Sequence, residues 1–228
     1  FKHFKSFYNG AMGIWLRPYF PKMPSYSQFL KLYHVLGKVV DKNFLNSIEK
    51  HGEFIIDSTD IAVCKNIRQP RSRLFKNFAG WIITSAKTTY GFKLHLVINS
   101  WKQVVNFAIT KGSISDISMA RPLLQSLSGT GLGDRGYVSK DVRKALKNSG
   151  LNFIARARKN MKEKNTSEEI AHLSRRHMVE TFLGKLKNRI RESFSHFRSW
   201  QGAKAAIVIV MAIINLRLQP VNALRKHA

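Results

Sequence analysis

Phe54-Ile55-Ile56-Asp57-Ser58 is the stretch on which the reading of this chain turns. An apolar, strand-forming run ends there in a carboxylate, and carboxylates are scarce. Lys and Arg number 39 against 13 Asp and Glu, a formal charge of +26. An acid at the end of a buried strand in so basic a chain asks for a reason. Two further acids share the placement. Asp134 stands in Gly133-Asp134-Arg135-Gly136-Tyr137, after a Gly-rich β run. Glu180 stands in the patterned helical stretch Met178-Val179-Glu180-Thr181-Phe182-Leu183.

Working outward, residues 1–52 read as a helical region set apart from the rest. Spacings of three and four among Phe29, Leu30, Leu32, Leu36, Val39 and Val40 give one apolar helical face over residues 27–50, and His51-Gly52 stops it. The character turns β-like from Glu53, with short strands expected at 54–57 and 61–63. Residues 65–76 form a basic loop that carries Arg68, Arg71 and Arg73. Phe92, Leu94, Leu96 and Ile98 alternate with Lys93, His95, Val97 and Asn99, which predicts a half-buried strand. Val104–Thr110 follows as the second arm of a hairpin. Helices are expected over 119–127 and 140–148, a strand over 151–155, an exposed, mobile basic stretch over 156–169, and helices over 170–194 and 201–217. This order predicts an α/β fold in which helices cover a mixed sheet, with the site at strand ends. The expected organisation is an N-terminal helical region (1–52), a main domain (53–220) and a basic tail (221–228).

Three acids on different elements have a definite chemistry. Mg²⁺ or Mn²⁺ takes oxygen ligands, commonly one or two carboxylates with waters and substrate phosphates. A metal pair about 3.5–4 Å apart activates a nucleophile and stabilises the leaving oxygen of an in-line phosphoryl displacement. Asp57, Asp134 and Glu180 are therefore the candidate metal ligands and catalytic residues. The +26 field attracts a polyanion. A membrane fits less well, because the longest apolar run, 205–216, falls short of the roughly 30 Å hydrocarbon core. Cys64 is the only cysteine, so a disulfide within the chain and a cysteine zinc site are both excluded. No signal peptide is visible. The chain opens on Phe1 rather than Met, so its native start is expected upstream.

The ordered set Phe54-Ile55-Ile56-Asp57-Ser58, Val63-Cys64, Gly91-Phe92-Lys93-Leu94-His95-Leu96 and Gly133-Asp134-Arg135-Gly136-Tyr137 resembles bacterial insertion-sequence DDE transposases. Within these it is similar to the insertion-sequence family numbered 982. In related families a basic residue lies four before the last acid and a Lys seven after, and here Arg176 and Lys187 hold those positions. The Tyr usually found three before that basic residue is replaced by Leu173. The resemblance spans residues 54–200. It implies a ribonuclease-H-like catalytic domain with Asp57, Asp134 and Glu180 as the metal-binding triad. It also implies cutting of double-stranded DNA at terminal inverted repeats and joining to target DNA, in a bacterial, cytoplasmic, nucleoid-associated setting. Lys93, Arg176, Lys187, Arg68, Arg71 and Arg73 are the expected DNA contacts, and residues 1–52 would bind terminal DNA or a second subunit in a homodimer.

Plainer readings stand beside these. Asp57 can open a turn with Ser58, Thr59 and Asp60, and Asp60 is its nearby rival. Asp134 before Gly136 is a common turn former. Glu180 can be a helix acid paired with Arg176 or Lys187, although its apolar neighbours predict a partly buried setting. Two other functions fit the same residues: a metal nuclease that hydrolyses without joining, and a decayed transposase that only binds DNA.

Overall fold

The apolar run at 54–56 lies inside a longer strand than its sequence predicts. β1 spans His51–Cys64 without a break. Its continuity comes from its neighbour β3 (Thr88–Asn99), which pairs with it antiparallel from Phe54↔Asn99 to Cys64↔Tyr90. The two short strands expected here are one, and Asp57, opposite Leu96, sits mid-strand rather than at a strand end. This computed structural model describes residues 5, 8–43, 48–73, 75–84, 87–157, 161, 164–194 and 199–218. Side chains at 11–12, 41–43, 187–194 and 217 fall outside that description.

β3 turns at Asn99–Gln103 into β4 (Val104–Lys111), the expected hairpin. On its other side β1 pairs parallel with β5 (Ser128–Gly133), which pairs parallel with β6 (Leu151–Ala155). A short strand absent from the sequence reading, β2 (Gly80–Ile83), extends the β4 side by pairing with Thr88–Gly91. The six-stranded sheet thus has an antiparallel half, β4-β3-β1, joined at β1 to a parallel half, β1-β5-β6. With helices on both faces, this is the ribonuclease-H-like arrangement.

Strand alternation sorts the core into two layers. Ile55, Leu94, Leu96, Ile98, Leu132 and Ile154 face one side. There they meet α4 (Ser167–Ser174), α5 (His177–Phe194) and α6 (Trp200–Leu218) through Leu173, Val179, Leu183, Ile207 and Met211. Phe54, Ile56, Val97, Leu151 and Phe153 face the other. They meet α2 (Asp116–Leu124) and α3 (Lys140–Asn148) through Ala120, Leu124 and Leu146. β3 is therefore covered on both faces, not half-buried, and its polar-looking row holds a fully buried His95. At Gly91 the backbone of β1 leaves no room for a side chain on β3. A Cβ there would be driven into the Ile61 carbonyl oxygen, beside the bulge at Ala62/Cys64.

Three further expectations change. Residues 66–71 of the basic loop wind into a 3-10 turn. The stretch expected to be irregular up to Glu169 ends in a helix start, where Thr166 and Glu169 form a capping box for α4. The single helix expected over 170–194 is two, broken at Arg175-Arg176. In the N-terminal region a π-helical segment (Tyr8–Leu16) precedes α1 (Tyr26–Asn43). α1 lies against α6, and Gly37 makes the close approach possible: a Cβ there would sit 2.5 Å from that of Ala205. Residues 219–228, with the expected basic tail, lie outside the described residues.

Candidate active site

The parallel register sets two of the acids side by side. Ile55 pairs with Leu132 at the end of the β1–β5 ladder, and Asp57 and Asp134 each follow two residues later. They occupy one row at the carboxyl end of β5, beside β1, the strand at which the sheet changes from parallel to antiparallel pairing. Open α/β sheets place their sites outside the carboxyl ends of their strands. Asp134 leads into a 3-10 turn (Arg135–Tyr137), and Glu180 lies in the first turn of α5.

The guanidinium of Arg176 joins all three. Its Nη2 lies 3.1 Å from Asp57 Oδ2 and 2.9 Å from Glu180 Oε1, and its Nη1 lies 3.2 Å from Asp134 Oδ1. The Arg176 side chain is only 11% exposed, against 18% for Asp57, 44% for Asp134 and 59% for Glu180. Glu180 is thus more open than its apolar neighbours predict. The break between α4 and α5 falls where this side chain must turn inward. Glu53 holds that corner from the same face of β1. Its Oε2 accepts from Arg175 at 3.0 Å and stands 2.9 Å from His172 Nδ1.

Asp57 carries the clearest electrostatic signature. Burial raises its carboxyl pKa, and the charge of Asp134 adds to the rise. The Ser58 N–H at 2.8 Å and Arg176 oppose it without cancelling it. Among the described residues, no group of three His, Cys, Asp or Glu is disposed to hold a metal ion directly. The three acids instead share a guanidinium. The donor set still suits a hard divalent cation: its free ends are carboxylate oxygens, and one cation already lies between them. The same guanidinium carries five N–H donors in a fork suited to phosphate, and its Nε is buried without a partner.

A further acid, Asp116, stands at the start of α2. Its Oδ1 accepts from Ser58 Oγ at 2.8 Å and lies 3.2 Å from Lys93 Nζ and 3.7 Å from His95 Nδ1. Ser58 in turn holds Asp57 through its N–H, so Asp116 braces Asp57 from the opposite face of β1. His95 hydrogen-bonds Thr110 Oγ1 at 2.9 Å. Burial lowers its pKa to about 4, against the raising effect of Asp116, with Lys93 adding to the fall. Tyr137 is buried beside this cluster, and burial pushes its hydroxyl well above the usual range, helped by Asp116 and Asp57. Only the chain's general scarcity of acids could have signalled Asp116.

The other expected contacts are scattered. Lys93 points to Asp116 and the Ile114 carbonyl, so its ammonium is committed within the fold. Asp60, the rival of Asp57, pairs with Lys87 at 2.7 Å. Arg68, Arg71 and Arg73 are exposed beyond Cys64, seven residues of strand or roughly 23 Å from Asp57. The Lys187 side chain lies outside the described residues.

No curated protein matches the chain. Among solved structures it is similar to a piggyBac transposase in a synaptic complex with hairpin DNA, at 11% identity and a TM-score of 0.44. That similarity covers 75% of this chain and 48% of the other, so the chain spans about half the length of that protein. The family model described as "Transposase DDE domain" matches residues 48–200, which include β1 with Asp57, Asp134 and the Arg176–Glu180 turn. With well over half its length matched, the chain belongs to the DDE transposase domain family.

Proposed function

We propose that the chain is a DNA transposase that uses divalent metal to cut the terminal inverted repeats of a bacterial insertion sequence, of the family numbered 982, and to join them to target DNA. The observation that carries this reading is the meeting of Asp57, Asp134 and Glu180 around Arg176 at the carboxyl end of β5. Mg²⁺ or Mn²⁺ held by these carboxylates would supply nucleophile activation and leaving-oxygen stabilisation. The chain's own part is positioning. Ser58, braced by Asp116, orients Asp57, and Glu53 with Arg175 and His172 fixes the turn that presents Arg176. Arg176 keeps the acids together at rest and turns its fork to the phosphate as the site fills.

In the first reaction a water oxygen attacks phosphorus and the P–O3′ bond breaks, leaving a 3′-hydroxyl and a 5′-phosphate. In the second that hydroxyl attacks a target phosphodiester and displaces the target's own 3′ oxygen. Residues 53–220 form the catalytic unit of this proposal. Residues 1–52 bind terminal DNA or a second copy in a homodimer, and 221–228 serve as a basic tail. Arg68, Arg71, Arg73 and Lys187 hold flanking phosphates, and Lys93 acts through Asp116. The cellular setting is the bacterial cytoplasm, at the nucleoid. No described helix is long and apolar enough to cross a membrane.

Strand joining tests the proposal. A labelled duplex with a free 3′-hydroxyl terminal repeat is incubated with supercoiled plasmid and Mg²⁺ or Mn²⁺. Label covalently linked to the plasmid is expected. Nicked duplex with no linked label would instead mark a nuclease, and intact substrates would mark a DNA-binding protein without catalysis.

A further inference from the structure

α3 carries a feature that the catalytic reading does not use. Lys140, Arg143, Lys144 and Lys147 follow one another at i, i+3, i+4 and i+7, so they form one stripe, and all four are exposed. The opposite face packs Leu146 into the core with Phe153. Lys144 and Lys147 have no carboxylate partner among the described residues. The stripe runs about 10 Å along the helix axis. It lines a cavity of about 370 Å³ together with Lys164, while Val138, Phe153, Ala155, Ala157 and Met161 give it apolar walls. Among the described residues the one acid in the lining, Glu169, is already bonded to Arg143 at 2.8 Å and Asn165 at 2.9 Å. In sequence α3 follows Asp134 through the turn Arg135–Tyr137 and the cap residue Ser139.

We infer that this cleft binds a DNA strand, with about three consecutive phosphates along the α3 stripe and one unpaired base in the apolar cavity. The chemistry separates the two parts. A row of exposed cations of this length can face a few consecutive phosphates of one strand, each neutralised phosphate releasing counterions. Apolar walls beneath cations do nothing for a phosphate, but they receive a base that has left its stack. An intact duplex cannot enter a cavity of this size. An acidic protein segment would satisfy the stripe and leave the walls unused. The inference rests on the reading of the chain as acting on DNA. It adds a strand-binding subsite on α3, separate from the three acids.

Binding without catalysis tests it. Anisotropy titrations in Ca²⁺ over a salt series compare the wild type with three variants on single-stranded and duplex oligonucleotides. Lys140→Ala/Lys144→Ala/Lys147→Ala removes the stripe and keeps the Arg143–Glu169 pair. Ala157→Phe fills the cavity without changing charge. Lys102→Ala/Lys111→Ala/Arg121→Ala removes equal charge from exposed positions that the proposed function does not assign to DNA. The stripe variant is expected to reduce the slope of log K against log salt by about 2–3 on both DNAs, and the control variant by less than half of that. Ala157→Phe is expected to weaken single-strand binding about tenfold and leave duplex binding unchanged.

Equal slopes for the two charge variants would overturn the phosphate track, and unchanged single-strand binding by Ala157→Phe would overturn the base pocket. Poly-glutamate that displaces single-stranded DNA as well as an unlabelled strand does would also overturn the base pocket. A wild type that binds through α3 yet neither nicks nor joins DNA leaves this inference standing and sinks the transposase reading.

Discussion

Removing the guanidinium of Arg176 would leave Asp57, Asp134 and Glu180 facing one another without a counter-ion. Arg176→Ala is therefore expected to cost about 3 kcal/mol of stability in metal-free buffer, the scale for breaking a largely buried charge pair. Millimolar Mg²⁺ should raise the melting temperature of the variant more than that of the wild type, because a divalent cation would take up the vacated charge. Equal shifts, read by calorimetry, would contradict the shared-cation account. His95 gives a separate check. It is buried as the neutral ring, and its folded pKa of about 4 lies below the unfolded value of about 6.5. The unfolded chain then binds the extra proton between these values, so the His95 contribution is intact above pH 6.5. It falls away as pH drops toward 4, by about 3 kcal/mol in all. Asp57, with its raised pKa, acts in the opposite direction above 3.8. Denaturant melts across pH 4–7 should show a flatter profile for His95→Gln, which keeps an amide donor for Thr110. A parallel profile would remove His95 as the source.

At the scale of elements, β1 and β3 do most of the positioning, and Gly91 permits their approach. Gly91→Ala would press a methyl onto the Ile61 carbonyl and is expected to cost about 3 kcal/mol, measurable as a lowered denaturation midpoint. An unaffected midpoint would mean that the strands can separate there at little cost. Strands and helices with clean periodicity were legible in the sequence: the β3–β4 hairpin, α3 and β6 fall at or within a few residues of the positions expected for them. What was hidden was set by partners far along the chain. β1 reads as two strands because Ser58-Thr59-Asp60 looks like a turn, yet β3 pairs straight across it. The α4–α5 break has no Gly or Pro to announce it. It follows from a side chain, Arg176, that is drawn to acids on two other elements. Asp57, Asp134 and Glu180 could be picked from the sequence because acids are rare in it. Their counter-ion and the brace from Asp116 needed the fold.

Over the whole molecule, the charge and the two-layer core divide the work. The sheet and its helices hold the acids, and the +26 surface around them supplies the attraction for a polyanion. α1 is joined to this body along α6 at Gly37. Gly37→Leu is expected to release α1 while the sheet stays folded, read as faster amide exchange confined to residues 26–43. Faster exchange in β1 and β3 as well would show that the N-terminal helix is integral to the core. The central claim is that Asp57, Asp134 and Glu180 form a metal-dependent catalytic centre for DNA strand cleavage. Its most direct test is Mg²⁺-dependent nicking of a labelled terminal-repeat duplex by the wild type and by Asp134→Asn, with DNA binding measured in Ca²⁺. Asn keeps the shape but loses the charge a metal ligand needs. The account predicts nicking by the wild type and none by Asp134→Asn, with binding equal or slightly tighter in the variant. Nicking by Asp134→Asn at the wild-type rate would contradict it.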